Sequence, residues 1–224
     1  MKRQIAYTSS RIAIGVLLSV GICLALPPNY KGKPFRDEFH QSGPQPIPGR
    51  VECALYDLGG EGVAYHDVDA SNNGAKLNHE SGQCRPGTSP YICYFRENEG
   101  VDISYVKSWV DLSHPNLFSP EQNQLYIGWA LDNEWLNYTV DVKVAGVYKI
   151  VALYGNLANT IEFSLNNKPA SICKLPVATG SMHKWNKAEV GEITFPKKGK
   201  QLLTLHYNQG DNLAYFEFEL VKKR

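Results

Sequence analysis

The sequence has no excess of charge of either sign, because 23 lysines and arginines stand against 22 aspartates and glutamates. A near-neutral chain lacks the field that holds a phosphate backbone, so nucleic-acid binding is not expected. Thirteen prolines and nineteen glycines in 224 residues are too few for a collagen-like or disordered chain. GxSxG, HExxH and phosphate-binding glycine loops are all missing. The composition, 43% hydrophobic, therefore indicates one globular domain without a common catalytic motif.

The sequence also lacks an apolar run long enough to cross a membrane. The first eleven residues carry three basic residues and no acid, and the apolar run 12–26 that follows is shorter than the ~20 residues of a membrane span. This pattern predicts a signal peptide over residues 1–25, cleaved after Ala25. A lipid anchor on Cys23 is the alternative, although Ile22 is bulky for that processing. Either route predicts export to the periplasm, the cell surface or the medium.

Four further cysteines agree with an oxidising compartment. Cys84 and Cys93 flank a segment rich in turn residues, which predicts a disulfide between them. Cys53 and Cys173 are left as a second bridge or as buried thiols. Zinc is the rival ligand, but the sequence has no CxxC pair and no histidine at ligand spacing.

The pattern of apolar residues predicts strands rather than helices. Residues 26–46 are rich in proline, glycine and charge and indicate a linker or N-terminal arm, and a single domain is predicted over 47–224. Alternation of apolar and polar residues recurs in several short windows, and Asn166-Asn167 suits a hairpin turn. The windows are residues 139–144, 147–154, 161–165, 192–195, 201–207 and 214–220. The expected fold is an all-β antiparallel sandwich of the jelly-roll type.

One region, residues 79–124, interrupts this rhythm. It contains the two paired cysteines, Trp109 and two X-Pro turns. Loops of this length in compact domains are usually functional or cross-linked. Because the loop leads directly to Gly128-Trp129, we expect it to help position that tryptophan.

The densest polar cluster lies in residues 61–69. It offers four candidate catalytic side chains, Glu61, His66, Asp67 and Asp69. In a strand the two aspartates would share one face, where they could bind a metal or act as an acid and a base. Ordinary carboxylates at a solvated strand end are the simpler interpretation.

A second cluster combines two tryptophans, Trp129 and Trp135, with a polar turn between them at residues 131–134. The turn gives each ring its own environment, so one ring is expected in the core and the other at a rim. An exposed ring beside amide and carboxylate groups suits sugars, whose C–H faces pack on aromatic rings.

Several motifs, in this order along the chain, resemble the family 6 carbohydrate-binding modules and their relatives. They are residues 47–52, 59–67, 99–103, 127–129, 134–140 and 212–218. The resemblance covers about residues 47–220. It implies a jelly-roll sandwich that binds polysaccharide without cleaving it.

The resemblance also implies roles for single residues. Trp129 matches the ring that stacks on sugar, and Asn212 matches an amide that hydrogen-bonds sugar hydroxyls. Trp135 and Trp185 match core tryptophans. Met182 stands where the family has a second stacking ring, and a methionine packs on apolar faces but presents no ring.

His66 or Asp67 lies near the carboxylate of the family's cleft. The family's structural calcium site corresponds to Glu52, but Cys53-Ala54 and Ala214 stand where other ligands are expected. Because hard cations need several oxygen ligands, we expect no bound calcium and no other cofactor.

These observations predict an exported, non-catalytic protein that binds a polysaccharide or oligosaccharide. The chain has no room for a hydrolase domain, so it is expected to act alone or beside a separately encoded glycoside hydrolase. The alternatives are a polysaccharide-cleaving jelly-roll enzyme that uses the 61–69 cluster, and a structural domain that has lost its ligand.

Overall fold

The computed structural model describes residues 26–157, 159–177 and 179–224. The predicted signal peptide, residues 1–25, and the candidate lipid anchor at Cys23 lie outside these ranges. No helix in the described part of the chain is long and apolar enough to span a membrane.

Strands are the main regular structure in the described part of the chain, beside two α-helices of four residues each and one 3-10 turn at Cys53–Leu55. The strands are β1 (Gln45–Ile47), β2 (Gly49–Glu52), β3 (Tyr65–His66), β4 (His79–Glu80), β5 (Gln83–Cys84), β6 (Ile103–Tyr105), β7 (Leu125–Ile127), β8 (Glu134–Val142), β9 (Gly146–Asn156), β10 (Thr160–Leu165), β11 (Lys168–Lys174), β12 (Ser181–Phe195), β13 (Gly199–Tyr207) and β14 (Asp211–Lys223). The helices are α1 (Ala75–Asn78) and α2 (Pro90–Cys93).

Two sheets pack face to face. The first has the order β1-β8-β13-β10-β11, with β3 also paired to β8, and the second has the order β12-β9-β14-β7-β6, with β2 also paired to β14. Every pair in these sheets is antiparallel except β1 with β8. The predicted all-β antiparallel sandwich is confirmed.

Side-chain alternation along the strands makes the core between the sheets. In β8 the buried residues Leu136, Tyr138, Val140 and Val142 join the main hydrophobic cluster. The residues between them therefore face the outer side of the first sheet, because successive side chains of a strand point to opposite faces. This parity places Trp135 outside the core.

The predicted Asn-Asn turn joins β10 to β11. Asn166 and Asn167 adopt φ values of 50° and 64°. Two consecutive left-handed residues form the tight turn whose twist matches antiparallel strands, and asparagine tolerates this conformation better than most residues.

The long insertion, residues 79–124, is ordered and covers the outer face of the second sheet. Cys84 and Cys93 form the predicted disulfide, which ties β5 to α2. Beneath the insertion, Trp185 is fully buried and its ring packs edge-on against Tyr126, with 5.2 Å between the ring centroids. The core position predicted for Trp185 is confirmed.

The N-terminal segment 26–46 packs against the sandwich. The Tyr30 hydroxyl donates to Asp57 Oδ2 at 2.6 Å, and the Phe35 and Phe95 ring centroids lie 5.6 Å apart. These contacts hold the segment against the sandwich, and its last two residues begin β1, which pairs with β8.

Cys53 and Cys173 are buried free thiols. Of the two alternatives left by the sequence, the second bridge is therefore the wrong one. Burial raises the pKa of the Cys53 thiol well above its ordinary value, which keeps it protonated and unreactive.

Candidate functional site

Two cavities in the structure combine a tryptophan with polar side chains. The first, here called the tryptophan pocket, has a volume of about 160 Å³ and contains Trp129 and Trp109. The second, here called the sheet groove, has a volume of about 440 Å³ and runs over the outer face of the first sheet beside Trp135.

Trp129 is held in place by its backbone. It follows Gly128, where a Cβ would overlap Asn212 Oδ1, and it adopts a left-handed φ of 52°. This conformation costs a bulky residue on the order of 1–3 kcal/mol, so the surrounding contacts must enforce it. They do so through Gly128 N–H, which donates to Asp102 O at 2.9 Å, and through Leu131 N–H, which donates to Glu134 Oε2 at 2.9 Å. The half-buried ring lines the pocket.

The insertion supplies the opposite part of the tryptophan pocket. Trp109, which is 47% exposed, lines the same cavity as Trp129, together with Val110 and Asp111. The sequence pointed to the insertion as the segment next to Trp129, but it did not single out Trp109 as a site residue. The disulfide-closed loop was the one sequence feature that could have indicated Trp109. It could not place the ring, because the path of the loop depends on tertiary packing.

Asn212 and Met182 do not line the tryptophan pocket, although Asn212 lies next to Gly128, which precedes Trp129. Asn212 is buried, and its Nδ2 donates to the Met182 carbonyl at 2.8 Å, which joins β14 to β12. Its amide nitrogen is therefore engaged within the protein, and its oxygen faces Gly128. In this arrangement Asn212 positions Gly128 and Trp129. Met182 is half-buried and contributes its backbone oxygen.

His66 ends β3 and Asp67 follows it, and neither residue lines the tryptophan pocket. His66 pairs across the sheet with Trp135, and its Nδ1 lies 2.6 Å from Glu61 Oε1. Asp67 is buried. Desolvation is the main cause that raises the pKa of its carboxyl to about 7, and repulsion from Glu134 is the second cause. Asp67 does not belong to the lining of either cavity described above.

The four candidate catalytic residues form one hydrogen-bonded cluster. Glu61 Oε1 lies 2.6 Å from His66 Nδ1, Glu61 Oε2 accepts from Asp67 N–H at 3.1 Å, and Asp67 Oδ1 accepts from Asp69 N–H at 2.9 Å. Glu61 and His66 form an exposed pair, and Asp67 is buried below them. Asp69 lies on the exposed loop after β3 and accepts a hydrogen bond from Asn73 Nδ2 at 3.2 Å. Strand β3 ends at His66, so the alternation expected to align the two aspartates does not extend to Asp69.

The sheet groove was not predicted from the sequence. The expectation that Trp135 lies in the core is wrong, because its ring is half-buried on the outer face and lines this groove. Polar residues of the neighbouring strands complete the surface through two hydrogen-bonded pairs. Thr204 Oγ1 donates to Asn137 Oδ1 at 2.6 Å, and Ser164 Oγ lies 3.0 Å from His206 Nε2.

Two features set the chemistry of the sheet groove. Burial lowers the pKa of His206, so its imidazole is neutral at neutral pH and can both donate and accept. Tyr30 and its neighbours Asn29 and Lys31, from the N-terminal segment, form one wall. A broad apolar ring bordered by hydrogen-bond donors and acceptors, of which Lys31 is charged, is suited to a polyhydroxylated ligand.

The Glu52 carboxylate, the one calcium ligand suggested by the sequence, has protein partners. Gln124 Nε2 donates to its Oε2 at 3.0 Å, and the Arg50 guanidinium lies 3.6 Å from its Oε1. A cation at this position would compete with Arg50. Within residues 26–224, apart from the two undescribed alanines, there is no group of three or more His, Cys, Asp and Glu side chains that could hold a metal.

Comparison with known proteins gave matches among solved structures. No protein-family model and no curated protein matches the chain. A CBM6 module from Clostridium stercorarium, solved with cellobiose, is 12% identical with a TM-score of 0.49, over 80% of this chain and 99% of that chain. A β-1,3-glucan-binding CBM6 module from Bacillus halodurans is 13% identical with a TM-score of 0.47, over 79% and 98%.

A third similar structure is a family 6 carbohydrate-binding module from Clostridium cellulolyticum, solved with xylose. It is 14% identical with a TM-score of 0.44, over 78% of this chain and 99% of that chain. All three solved structures are family 6 carbohydrate-binding modules.

Proposed function

We propose that the protein binds carbohydrate without cleaving it, and that Trp129 stacks on a sugar ring in the tryptophan pocket. The observation that carries this proposal is the pairing of two tryptophans, Trp109 and Trp129, in one small cavity that also contains charged and hydroxyl groups. Sugars present apolar C–H faces and hydroxyls on the same ring, and this cavity offers partners for both.

Exposure supports the same assignment. Trp109 and Leu77 line the cavity and are 47% and 56% exposed. Apolar side chains that stay exposed around a polar cavity are characteristic of a ligand site. The strained φ of Trp129 points in the same direction, because backbone strain tends to persist at functional positions.

The sheet groove extends the proposal to a longer ligand. Its volume of about 440 Å³ is more than twice that of the tryptophan pocket, and Trp135 provides a stacking surface beside neutral polar groups. We assign one sugar ring to the tryptophan pocket and a stretch of glycan chain to the sheet groove. The similar modules were solved with saccharides, and this proposal extends that class of ligand to the present chain.

We rest the non-catalytic part of this proposal on the burial and hydrogen bonding of the carboxylates. Two acidic groups that cleave a glycosidic bond must both reach the same sugar, at a separation of roughly 5–10 Å. Asp67 is buried below the surface that carries Glu61 and His66. Asp102 Oδ1 accepts the backbone N–H of Asn73, and Glu134 Oε2 accepts that of Leu131 at 2.9 Å, so both carboxylates are engaged within the protein.

Export is part of the proposal. The Cys84–Cys93 disulfide is stable in an oxidising compartment, which agrees with the predicted signal peptide. We also propose a glycoside hydrolase that acts on the same glycan as a partner of this binding domain.

A glycan array on the purified protein tests binding, and a reducing-sugar release assay on each bound glycan tests catalysis. We expect binding without release. Trp129→Ala and Trp135→Ala should each weaken binding at least tenfold in calorimetry, whereas Phe39→Ala should not. Phe39 is a suitable control because it is 62% exposed and lies on the N-terminal segment outside both cavities. Unchanged binding by both tryptophan variants would refute the assignment of the sites.

A further inference from the structure

The charges around the tryptophan pocket are unbalanced. Lys107, Arg85 and His183 line it together with a single carboxylate, that of Asp111. Lys107 is buried, and both desolvation and repulsion from Arg85 lower its pKa, to about 8, against the opposing effect of Asp111. At neutral pH this leaves the ammonium largely protonated beside a guanidinium.

Asp111 is already saturated by protein donors. Its Oδ1 accepts from Trp185 Nε1 at 3.0 Å and lies 3.0 Å from His183 Nδ1. Its Oδ2 accepts from the backbone N–H of Lys107 at 2.7 Å. This carboxylate therefore has little capacity left to neutralise Arg85.

Arg85 lacks a strong partner of its own. Its Nε is buried and has no hydrogen-bond acceptor among the described residues. The nearest carboxylate, Glu80, is 3.8 Å away and its side chain is 79% exposed, so solvent screens the pair strongly. A buried donor without an acceptor is costly, which makes Arg85 the group in this pocket best prepared for an anionic ligand.

The disulfide next to Arg85 restricts the position of this arginine at the pocket. Arg85 directly follows Cys84, whose disulfide with Cys93 anchors the turn. The guanidinium carbon lies 5.2 Å from the Trp109 ring centroid, so the cation and the stacking surface are presented together.

From this arrangement we infer that the tryptophan pocket selects a sugar that carries a carboxylate, a uronic acid residue, over its neutral counterpart. This inference rests on the proposed function and specifies its ligand class. The ring of the sugar stacks on tryptophan, and its carboxylate accepts hydrogen bonds from the planar fork of Arg85, the geometry in which guanidinium and carboxylate pair most strongly. Lys107 contributes positive potential, because its ammonium already donates to Ser104 Oγ, Asn78 Oδ1 and Tyr105 O.

The test compares ligands that differ only at C6. The purified full-length protein is titrated by calorimetry with methyl β-D-glucuronide and methyl β-D-glucoside, and with the corresponding galacto pair. We expect one uronide to bind about tenfold or more tightly than its neutral partner at about 50 mM NaCl, and the preference to shrink as salt is raised.

Variants of Arg85 identify the group responsible. Arg85→Gln should reduce the preference to about threefold or less, and Arg85→Lys should restore part of it. Arg36→Gln is the matched control, because Arg36 is exposed on the N-terminal segment and bonds only to the Gln41 carbonyl. Thermal unfolding of each variant checks that the fold is intact.

The failure of this inference is distinguishable from failure of the proposed function. Equal affinity for both members of each pair, lost in Trp129→Ala, would overturn the uronate preference and leave carbohydrate binding intact. A preference that survives Arg85→Gln would also overturn it. Failure of every uronide to bind would refute the inference, and the glycan array then decides the proposed function independently.

Discussion

Asp211 provides a stability prediction that can be worked out in detail. It opens β14, next to Asn212, and is fully buried. In the described part of the chain, no donor lies within hydrogen-bonding distance of either carboxylate oxygen. Burial alone raises the pKa of Asp211 from 3.8 to about 8, so the folded protein holds this group protonated at neutral pH.

The sign of the pH dependence follows from the two pKa values. Well below pH 4 the carboxyl is protonated in both the folded and the unfolded chain, and its burial then adds no pH-dependent penalty. As the pH rises, the unfolded chain releases the proton first, so the free energy of unfolding falls by about 1.4 kcal/mol per pH unit. The loss reaches on the order of 4 kcal/mol at pH 7 and levels off above pH 8.

The measurement is a series of urea unfolding curves between pH 5 and pH 8 for the parent protein and for Asp211→Asn. Because Asp67 titrates in the same range, the difference between the two curves isolates Asp211. We expect the parent to lose about 4 kcal/mol relative to the variant across this range. Glu38→Gln, which changes an exposed carboxylate, should follow the parent. Parallel curves for parent and Asp211→Asn would refute the raised pKa.

Three further predictions concern the core, the metal and the disulfide. Trp185→Ala should lower the free energy of unfolding by about 3–5 kcal/mol in urea titration, because the Trp185 ring is fully buried. Trp135→Ala should lower it clearly less, because the Trp135 ring is half-buried. Equal losses for the two variants would contradict the positions assigned to the two rings. EDTA should leave the melting temperature unchanged in calorimetry, since Arg50 and Gln124 satisfy Glu52; a large drop that calcium reverses would contradict this. The double variant Cys84→Ser, Cys93→Ser should weaken glycan binding more than it lowers the melting temperature. The disulfide closes a short loop, which stabilises the fold by only about 2–3 kcal/mol, and this loop carries Arg85 at the tryptophan pocket. Full binding by the variant would show that the insertion is not part of the site.

The strands were predictable where apolar and polar residues alternate without interruption. Residues 139–144 and 147–154 correspond to the later part of β8 and most of β9. Strand β12 was predicted only at its end, 192–195, although it begins at Ser181. Its first four residues are half-buried under the insertion and show no alternation, so the signal is missing there.

Trp135 shows how a local rule can outweigh a resemblance. The alternation at Val140 and Val142 fixes the even-numbered positions of β8 inside, and Trp135 is an odd-numbered position of the same strand. The motif resemblance instead implied a core tryptophan. The alternation alone would have placed the Trp135 ring on the outer face of the sheet. It would then also have indicated that this face could bind a ligand.

The sequence pointed to Trp129 through the turn that separates it from Trp135 and through the motif resemblance, whereas it did not point to Trp109, the other ring that lines the tryptophan pocket. Trp109 reaches the cavity only through the path of the insertion, which depends on the disulfide and on contacts such as the hydrogen bond from Trp185 Nε1 to Asp111. No periodicity encodes such contacts between residues more than seventy positions apart.

Both cavities are completed by segments that lie outside the two main sheets. The insertion contributes Arg85, Lys107 and Trp109 to the tryptophan pocket, and the N-terminal segment contributes Tyr30 to the sheet groove. The sheets supply rigid positions for Trp135 and for the backbone that ends at Trp129, and the irregular segments supply charge and shape. Ligand preference should therefore change with these two segments while the sandwich stays constant, as expected when function is carried by loops on a stable scaffold. The uronate preference assigned to Arg85 is a property of the insertion in this sense, and replacing that turn should alter which sugar binds without altering the fold.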